Sequence, residues 1–209
     1  MDIRCYCITS GTTRQTVDTA AVAAAAGCGI VQVRAKEATA AELLELTCAV
    51  AEAVHTANPD TLVVVDDRAD VAYAARHAGA PVAGVHLGQD DVPVTAARQL
   101  LGPDAIIGLT TGTLELVQAA QRYVDVIDYV GAGPYRFTPT KDSDRSPLGV
   151  QGYPPLVEAS QLPVVAIGDI TPDDAVALAQ TGVAGIALVR GIMQAQDPAS
   201  VVQRVLAAF

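Results

Sequence analysis

The stretch LVVVDDR, residues 62–68, decides the fold. Its four consecutive apolar residues, Leu62–Val65, are typical of a strand that is buried on both faces, as strands in parallel sheets are. Three charged residues follow at once, where such a strand would end. The segment Val164–Ile167 is equally apolar. Both segments therefore predict a parallel sheet whose strands end in polar groups.

Short apolar segments rich in β-branched residues recur along the whole chain. They are Cys5–Thr9, Ile30–Val33, Leu62–Val65, Val82–His86, Ile106–Leu109, Val126–Val130, Val164–Ile167 and Gly185–Val189. Alanine-rich amphipathic stretches between them predict helices, for example Thr39–Ala57, Thr113–Arg122 and Pro172–Gln180. Strands that alternate with helices pair in parallel through βαβ crossovers.

Eight such units in 209 residues predict an α/β fold, a single (β/α)8 TIM barrel at the compact end of its class. A doubly wound open sheet is the alternative. It favours a Gly-x-Gly-x-x-Gly turn after the first strand, and TSGTTR at 9–14 is not one. No linker or shift in composition divides the chain, so we expect one domain over residues 1–209.

The composition argues against several classes of protein. Although 51% of the residues are hydrophobic, no apolar run approaches the roughly 18 residues that indicate a membrane span. The amino terminus has no basic segment followed by a long apolar one, so we expect a cytoplasmic protein. A net charge of −10 argues against nucleic-acid or acidic-membrane partners, but allows small anionic ligands where cations converge.

The four cysteines lie in apolar segments, and we expect them to be reduced core thiols. Cys5 and Cys7 have no second pair at the spacing of a zinc site.

Polar residues follow the carboxyl ends of the predicted strands. They include Gln32, Arg34, Lys36, Asp66, Asp67, Arg68, His86, Asp91, Thr110, Thr111, Thr138, Thr140, Lys141, Asp169 and Arg190. In a barrel these residues share the face where active sites lie. An open sheet also binds ligands at carboxyl ends, so the clustering supports a site more strongly than it supports a barrel.

The alternation Gln32-x-Arg34-x-Lys36 places three long polar side chains on one side of the chain. Two neighbouring cations repel unless an anion lies between them, and Arg with Lys suits phosphate oxygens. A solvated loop face is the alternative reading of this pattern.

Asp67 and Asp91 follow different strands and could offer two oxygens to an Mg²⁺ that bridges to a phosphorylated ligand. They could instead be helix N-caps. We expect His86 to be a hydrogen-bonded structural residue rather than a general base, because glycines on both sides indicate close packing. Asp173 and Asp174 are interpreted as acids in the first turn of a helix.

Five motifs are together similar to thiamine-phosphate synthases over nearly the whole chain: QVRAK at 32–36, DDR at 66–68, GVHLGQDD at 84–91, GPYRFTPTK at 133–141 and AIGDITPDD at 166–174. The resemblance implies a (β/α)8 barrel that joins a pyrimidine pyrophosphate to a thiazole phosphate and uses Mg²⁺ as cofactor. Its partners would be these two small substrates, and a homo-oligomer is possible.

The resemblance also implies the role of each site residue. Gln32, Arg34 and Lys36 would bind the pyrimidine pyrophosphate, with Asp66 beside them; Asp67 and Asp91 would bind Mg²⁺; Thr110 and Lys141 would bind the pyrophosphate; and Thr138, Thr140, Asp169, Val189 and Arg190 would form the thiazole phosphate pocket. Of these, Arg34, Lys36 and Lys141 are the expected catalytic groups. No protein nucleophile is needed, because the pyrimidine's amino group stabilises the cation left when pyrophosphate departs.

The segment 133–149 is longer than a connection requires, since most loops have about 4–6 residues. By resemblance it is a lid that reaches both substrates and excludes water. We expect residues 138–148 to be mobile without ligand.

Four residues depart from the family pattern: Asp66 stands in place of asparagine, Gly112 of histidine, Asp169 of glycine and Arg190 of serine. We expect Asp169 and Arg190 to form an ion pair. The alternative functions are a thiazole tautomerase, which would lack the pyrophosphate-binding set, and a non-catalytic barrel that binds a phosphorylated ligand.

Overall fold

The structure is a computed structural model that describes residues 1–137 and 146–209. Its parallel strands form a closed barrel in chain order, and the last strand pairs with the first. The strands are β1 (Cys5–Ile8), β2 (Ile30–Val33), β3 (Leu62–Asp66), β4 (Gly84–Leu87), β5 (Ile106–Thr110), β6 (Tyr129–Ala132), β7 (Val164–Ala166) and β8 (Gly185–Leu188). The predicted (β/α)8 barrel is confirmed, and closure of the sheet excludes the open-sheet alternative.

Helices follow the strands and cover the outside of the barrel. They are α1 (Arg14–Ala25), α2 (Ala40–Ala57), α3 (Ala69–His77), α4 (Val94–Leu101), α5 (Leu114–Ala120), α6 (Tyr153–Glu158), α7 (Ala175–Ala179), α8 (Arg190–Met193) and α9 (Pro198–Leu206). Short 3-10 turns occupy Gln121–Tyr123, Val150–Gly152 and Pro172–Asp174. Within the described ranges, no helix combines the length and apolar character needed to cross a membrane.

Helix α2 shows how local sequence sets these elements. Thr39 caps it: the Thr39 hydroxyl accepts a hydrogen bond from the Glu42 amide, and the Glu42 carboxylate accepts one from the Thr39 amide. This reciprocal capping box satisfies two amides that the first turn leaves without partners. Apolar residues at helical spacing then bury one face of α2. That face includes Leu43, Leu46, Val50 and Val54.

Side-chain alternation along the strands divides the core into two parts. The outward-facing side chains pack against the helices in the larger cluster. The inner cluster fills the barrel and comprises Ile3, Tyr6, Ile8, Ile30, Val64, Tyr129, Val165 and Ala187. Two residues further along β2, the inward-facing side chain changes from Ile30 to Gln32. In β3 it changes from Val64 to Asp66. The barrel interior thus changes from apolar to polar towards its carboxyl end.

The predicted start of β6 was wrong by three residues. The amides of Val126 and Ile127 donate to the Tyr123 carbonyl and continue the turn that follows α5. The Asp128 carboxylate accepts from the Ile107 amide at 2.8 Å and from Arg98 at 3.1 Å, and the strand begins only after it. Apolar content alone does not separate such a turn from a strand.

All four cysteines are free thiols, and three of them are buried, as expected. The predicted helix Thr113–Arg122 is α5 followed by a 3-10 turn, with Thr113 as its N-cap.

Candidate active site

A cavity opens at the carboxyl end of the barrel, and every strand contributes to its wall. It brings together ten of the residues singled out from the sequence: Gln32, Arg34, Lys36, Asp66, Asp67, His86, Thr110, Asp169, Val189 and Arg190. Asp91 lies beside this set, next to Asp67. Residues 138–145 of the expected lid lie outside the described residues. They include Thr138, Thr140 and Lys141 and most of the range 138–148 for which mobility is expected.

Two ion pairs link the ends of β2 and β3. Arg34 Nε lies 3.2 Å from Asp66 Oδ2, and Lys36 Nζ lies 3.3 Å from Asp67 Oδ2. The Arg34 side chain is only 25% exposed, whereas that of Lys36 is 49% exposed. The Arg34 amide also donates to Thr9 Oγ1 at 3.0 Å. The alternative interpretation, that the pattern Gln32-x-Arg34-x-Lys36 is a solvated loop face, is wrong for Arg34, because its side chain is largely buried and paired.

Asp67 and Asp91 form a close pair of carboxylates. Asp67 adopts a left-handed backbone with φ of 60°, which Asp tolerates better than most residues and which occurs often at functional sites. Asp91 Oδ2 accepts from the Gly88 amide at 2.6 Å. Burial raises the pKa of the Asp91 carboxyl, and the neighbouring Asp67 charge raises it further. The N-cap alternative is wrong for both residues, because Arg68 and Pro93 precede helices α3 and α4.

The donor set at Asp67 and Asp91 fits Mg²⁺. Among the residues that the structure describes, no group of three or more His, Cys, Asp or Glu side chains could hold a metal. Mg²⁺ is commonly bound by one or two protein carboxylates, with the remaining ligands supplied by water and substrate phosphates. Two adjoining carboxylates at the mouth of a cavity meet that requirement.

His86 is buried at the base of the cavity and uses both ring nitrogens. Its Nδ1 lies 2.9 Å from the Tyr129 hydroxyl, and its Nε2 lies 2.9 Å from Thr110 Oγ1. The expectation that His86 is hydrogen-bonded is confirmed.

The opposite side of the cavity is built by the turn after β7. Gly168 has φ of 112°, and a Cβ there would lie 2.5 Å from Pro134 Cα, so only glycine fits. Asp169 follows with φ of 53°, again left-handed. Its carboxylate accepts a hydrogen bond from the Arg190 guanidinium, which confirms the expected ion pair. Val189 directly precedes helix α8.

Arg136 was missed by sequence reasoning, although it lies within the quoted motif GPYRFTPTK. Its guanidinium donates to Asp174 Oδ2 at 2.7 Å and to the Asp169 carbonyl at 3.2 Å. Asp174 lies in the first helical turn, as predicted, where it also completes a capping box with Thr171. Burial alone would raise the pKa of Asp174, but hydrogen bonds from Arg136 and Thr171 outweigh it and lower that pKa to about 2.

The described flanks of the 133–149 segment are bound to each other. The Leu148 amide donates to the Pro134 carbonyl at 2.8 Å, and the Gly149 amide donates to the Tyr135 carbonyl at 3.1 Å. The segment therefore leaves and re-enters the barrel mouth at one point, beside the turn after β7.

Tyr6 and Tyr129 were also missed. Both are buried inside the barrel, and their hydroxyls lie 2.8 Å apart. One signal was available: aromatic residues make up 4% of the chain, yet these two tyrosines lie inside apolar segments that predict strands.

Comparison with known proteins identifies the family. Residues 5–192 match the family model described as thiamine monophosphate synthase. The chain belongs to this family. Curated thiamine-phosphate synthases from Corynebacterium jeikeium and Corynebacterium efficiens are 58% and 60% identical to it, and each alignment covers 100% of this chain and 95% of the relative.

A solved structure of a family relative confirms the architecture. Thiamine phosphate pyrophosphorylase from Pyrococcus furiosus superimposes with a TM-score of 0.83 at 31% identity, covering 99% of this chain and 95% of the other. The barrel and its connections are therefore those of the thiamine monophosphate synthase family.

Proposed function

We propose that this chain is a thiamine-phosphate synthase. It joins 4-amino-2-methyl-5-(diphosphooxymethyl)pyrimidine to 4-methyl-5-(2-phosphoethyl)thiazole, and it releases pyrophosphate. Beyond family membership, one observation carries the proposal: Arg34, Lys36, Asp67 and Asp91 converge on one side of the barrel mouth. A tautomerase acting on a thiazole phosphate has no pyrophosphate to bind and no use for this set.

The reaction requires positioning and charge stabilisation rather than a nucleophile. The bond between the pyrimidine methylene carbon and the diphosphate oxygen breaks, and its electron pair leaves with pyrophosphate. The ring's amino group stabilises the resulting cation, and the lone pair of the thiazole nitrogen then forms the new carbon–nitrogen bond. Enzymes accelerate such steps by orienting the reactants and by stabilising the charge that develops on the leaving group.

Charged groups from β2 would stabilise that leaving group. Arg34 offers a planar pair of donors, and Lys36 offers a compact ammonium charge. Both already face carboxylates, so their side chains are held near the cavity before substrate arrives. Gln32 would bind the pyrimidine, and Lys141 would add a cation from the 133–149 segment.

Asp67 and Asp91 would hold Mg²⁺ together with the pyrophosphate oxygens. The bound ion would supply positive charge against the charge that grows on the leaving group. Asp66 is paired with Arg34, so it would position that guanidinium even where it does not reach the ion.

The thiazole phosphate would lie on the opposite side of the mouth. Arg190 compensates the charge of Asp169 there, which leaves a phosphate to interact with backbone amides near Val189 and with Thr138 and Thr140. A carboxylate without that partner would repel the phosphate.

The test is direct synthesis. Purified protein, both substrates and Mg²⁺ should yield thiamine phosphate and one equivalent of pyrophosphate, measured by chromatography. Isomerisation of a thiazole phosphate without synthesis would establish a tautomerase instead. Binding of a substrate without turnover would establish a non-catalytic barrel.

A further inference from the structure

A continuous row of polar side chains crosses the barrel interior at the base of the cavity. Gln32 Nε2 lies 2.8 Å from the Tyr6 hydroxyl, which lies 2.8 Å from the Tyr129 hydroxyl. The row continues from Tyr129 to His86 Nδ1 at 2.9 Å and from His86 Nε2 to Thr110 Oγ1 at 2.9 Å. All five residues line the cavity, with Gln32 and Thr110 at the two ends of the row. We call these five residues the interior chain.

With the Gln32 amide nitrogen as the donor at one end, proton counting gives these hydrogen bonds one direction. The amide nitrogen of Gln32 only donates, so Tyr6 accepts from it and passes its single proton to Tyr129. Tyr129 then donates to His86 Nδ1, which must carry no proton. The His86 proton is therefore on Nε2 and is donated to Thr110.

The reverse direction leaves a buried proton without a partner in the interior chain. If Tyr129 donated to Tyr6, the Tyr6 hydroxyl would face only the Gln32 amide nitrogen within the chain, and two donors would oppose each other. A buried donor without an acceptor costs about 1–3 kcal/mol. Burial also raises the pKa of both tyrosines well above its usual value, so each keeps its proton.

The barrel makes room for this arrangement with a glycine. Gly108 pairs with His86 on one side and with Tyr129 on the other, at the same level of the barrel. A Cβ on Gly108 would lie 2.2 Å from the Tyr129 ring and 2.4 Å from His86 Nδ1. The two rings therefore stack across this position, with centroids 5.4 Å apart.

We propose that the interior chain fixes Thr110 as a hydrogen-bond donor to the ligand, so that Tyr6, Tyr129 and His86 are positioning residues that act through Thr110. Since the Thr110 hydroxyl accepts from His86, its own proton is directed elsewhere. A ligand atom that accepts, such as a pyrophosphate oxygen, is favoured at this point over one that donates. The identity of that ligand rests on the proposed function, whereas the direction of the chain does not.

The tautomer of His86 tests the direction in the unaltered protein. Nitrogen-15 NMR at neutral pH should show His86 as the neutral form protonated on Nε2, with an unprotonated Nδ1. The sequence has two other histidines, His55 and His77, and their replacement by glutamine assigns the signals. A proton on Nδ1 would overturn the proposal, even if the protein makes thiamine phosphate. A proton on Nε2 in a protein without synthase activity would refute the proposed function alone.

A double-mutant cycle tests whether Tyr129 acts through Thr110. Tyr129→Phe keeps the ring but removes the hydroxyl, and it should lower kcat roughly tenfold while allowing His86 to occupy both tautomers. Thr110→Val should lower kcat at least as much, and Thr110→Ser should restore most of it. Tyr129→Phe should then have little further effect in the Thr110→Val background. Equal losses in both backgrounds would show that Tyr129 is merely structural.

Tyr153→Phe is the matched control. Tyr153 is as buried as Tyr129 and donates one hydrogen bond to the Ala132 carbonyl at 3.1 Å, but it lies outside the interior chain. Tyr153→Phe should lower the free energy of unfolding by about as much as Tyr129→Phe does, while kcat and the His86 tautomer stay unchanged. A fall in kcat equal to that of Tyr129→Phe would overturn the proposal.

Discussion

The two sides of the barrel mouth use the same kinds of side chain but differ in their balance of charge. On the β2–β4 side, two cations face three carboxylates, and two of those carboxylates adjoin each other. On the β6–β8 side, the described residues contribute two cations and two carboxylates, and all four are paired. The first side comprises Arg34, Lys36, Asp66, Asp67 and Asp91, and the second comprises Arg136, Asp169, Asp174 and Arg190.

This difference indicates what each side requires from its ligand. The β2–β4 side has an excess of one negative charge, so a pyrophosphate could bind there only if further positive charge came with it. A divalent cation meets that need. The described residues of the β6–β8 side already balance in charge, so a phosphate there would depend on backbone amides and on the ion pairs remaining intact. The β2–β4 side therefore needs added positive charge to hold an anion, whereas the described residues of the β6–β8 side already balance in charge.

The largest effect should follow from removing a carboxylate on the β2–β4 side. Asp67→Asn keeps the size of the side chain and a residue that tolerates the left-handed backbone. We expect kcat/KM to fall at least about 100-fold at limiting Mg²⁺, because the leaving group loses charge stabilisation worth several kcal/mol. Asp91→Asn should behave similarly. The measurement is the rate of pyrophosphate release over a range of Mg²⁺ concentrations.

Asp90→Asn provides the control for this pair, since Asp90 is exposed and lies next to Asp91 in sequence. It should leave the Mg²⁺ dependence unchanged. Wild-type rates for both Asp67→Asn and Asp91→Asn at limiting Mg²⁺ would contradict the metal assignment and the charge argument with it.

The β2–β4 side was largely predictable from sequence, because regular strands place it. Gln32 lies within β2, Arg34 and Lys36 follow that strand at alternate positions, and Asp66 ends β3. Once a strand is recognised, period-two alternation fixes which side chains face the cavity. The pairing of Arg34 with Asp66 was not predictable in this way, since it depends on the register between neighbouring strands.

A smaller effect should follow on the β6–β8 side from removing Arg190. Arg190→Ala leaves Asp169 unpaired near the proposed phosphate position, and we expect KM for the thiazole phosphate to rise about tenfold. Both side chains are more than a third exposed, so solvent screening keeps the effect well below that of a buried charge. Steady-state kinetics with the thiazole phosphate as the varied substrate measures it.

The matched variant is Asp169→Gly, which removes the carboxylate and suits the left-handed backbone. It should leave KM for the thiazole phosphate unchanged or lower it, and in combination with Arg190→Ala it should reverse most of the rise. If Arg190→Ala alone leaves KM unchanged, the ion pair does not protect the phosphate position.

The β6–β8 side was less predictable, because loops rather than strands build it. The Asp169–Arg190 pair was expected, since both residues end neighbouring strands. Arg136 was not, because it reaches Asp174 only through the path of the chain after β6. The interior chain was missed for a related reason: contacts such as Tyr6 to Tyr129 join residues 123 positions apart, and local pattern contains no information about them.

The smallest expected effect concerns the stability of the β6–β8 side and its dependence on pH. The pKa of Asp174 is lowered to about 2, from a usual value near 4. Because its pKa is lower in the folded state, the ionised Asp174 carboxylate stabilises the fold fully at pH values above its unfolded-state pKa. This contribution is lost as pH falls from about 4 towards 2. Asp174→Asn should therefore reduce the free energy of unfolding by about 2 kcal/mol at pH 6.

The difference between wild type and Asp174→Asn should shrink steadily below pH 4, as urea unfolding at a series of pH values would show. Asp173→Asn is the control, because the Asp173 side chain is 82% exposed and its pair with Arg204 is open to solvent. It should change the free energy of unfolding little at any pH, since exposed ion pairs contribute about 0–1 kcal/mol. A constant difference for Asp174→Asn between pH 6 and pH 3 would show that capping and packing, rather than the Arg136 charge, hold this side of the mouth together.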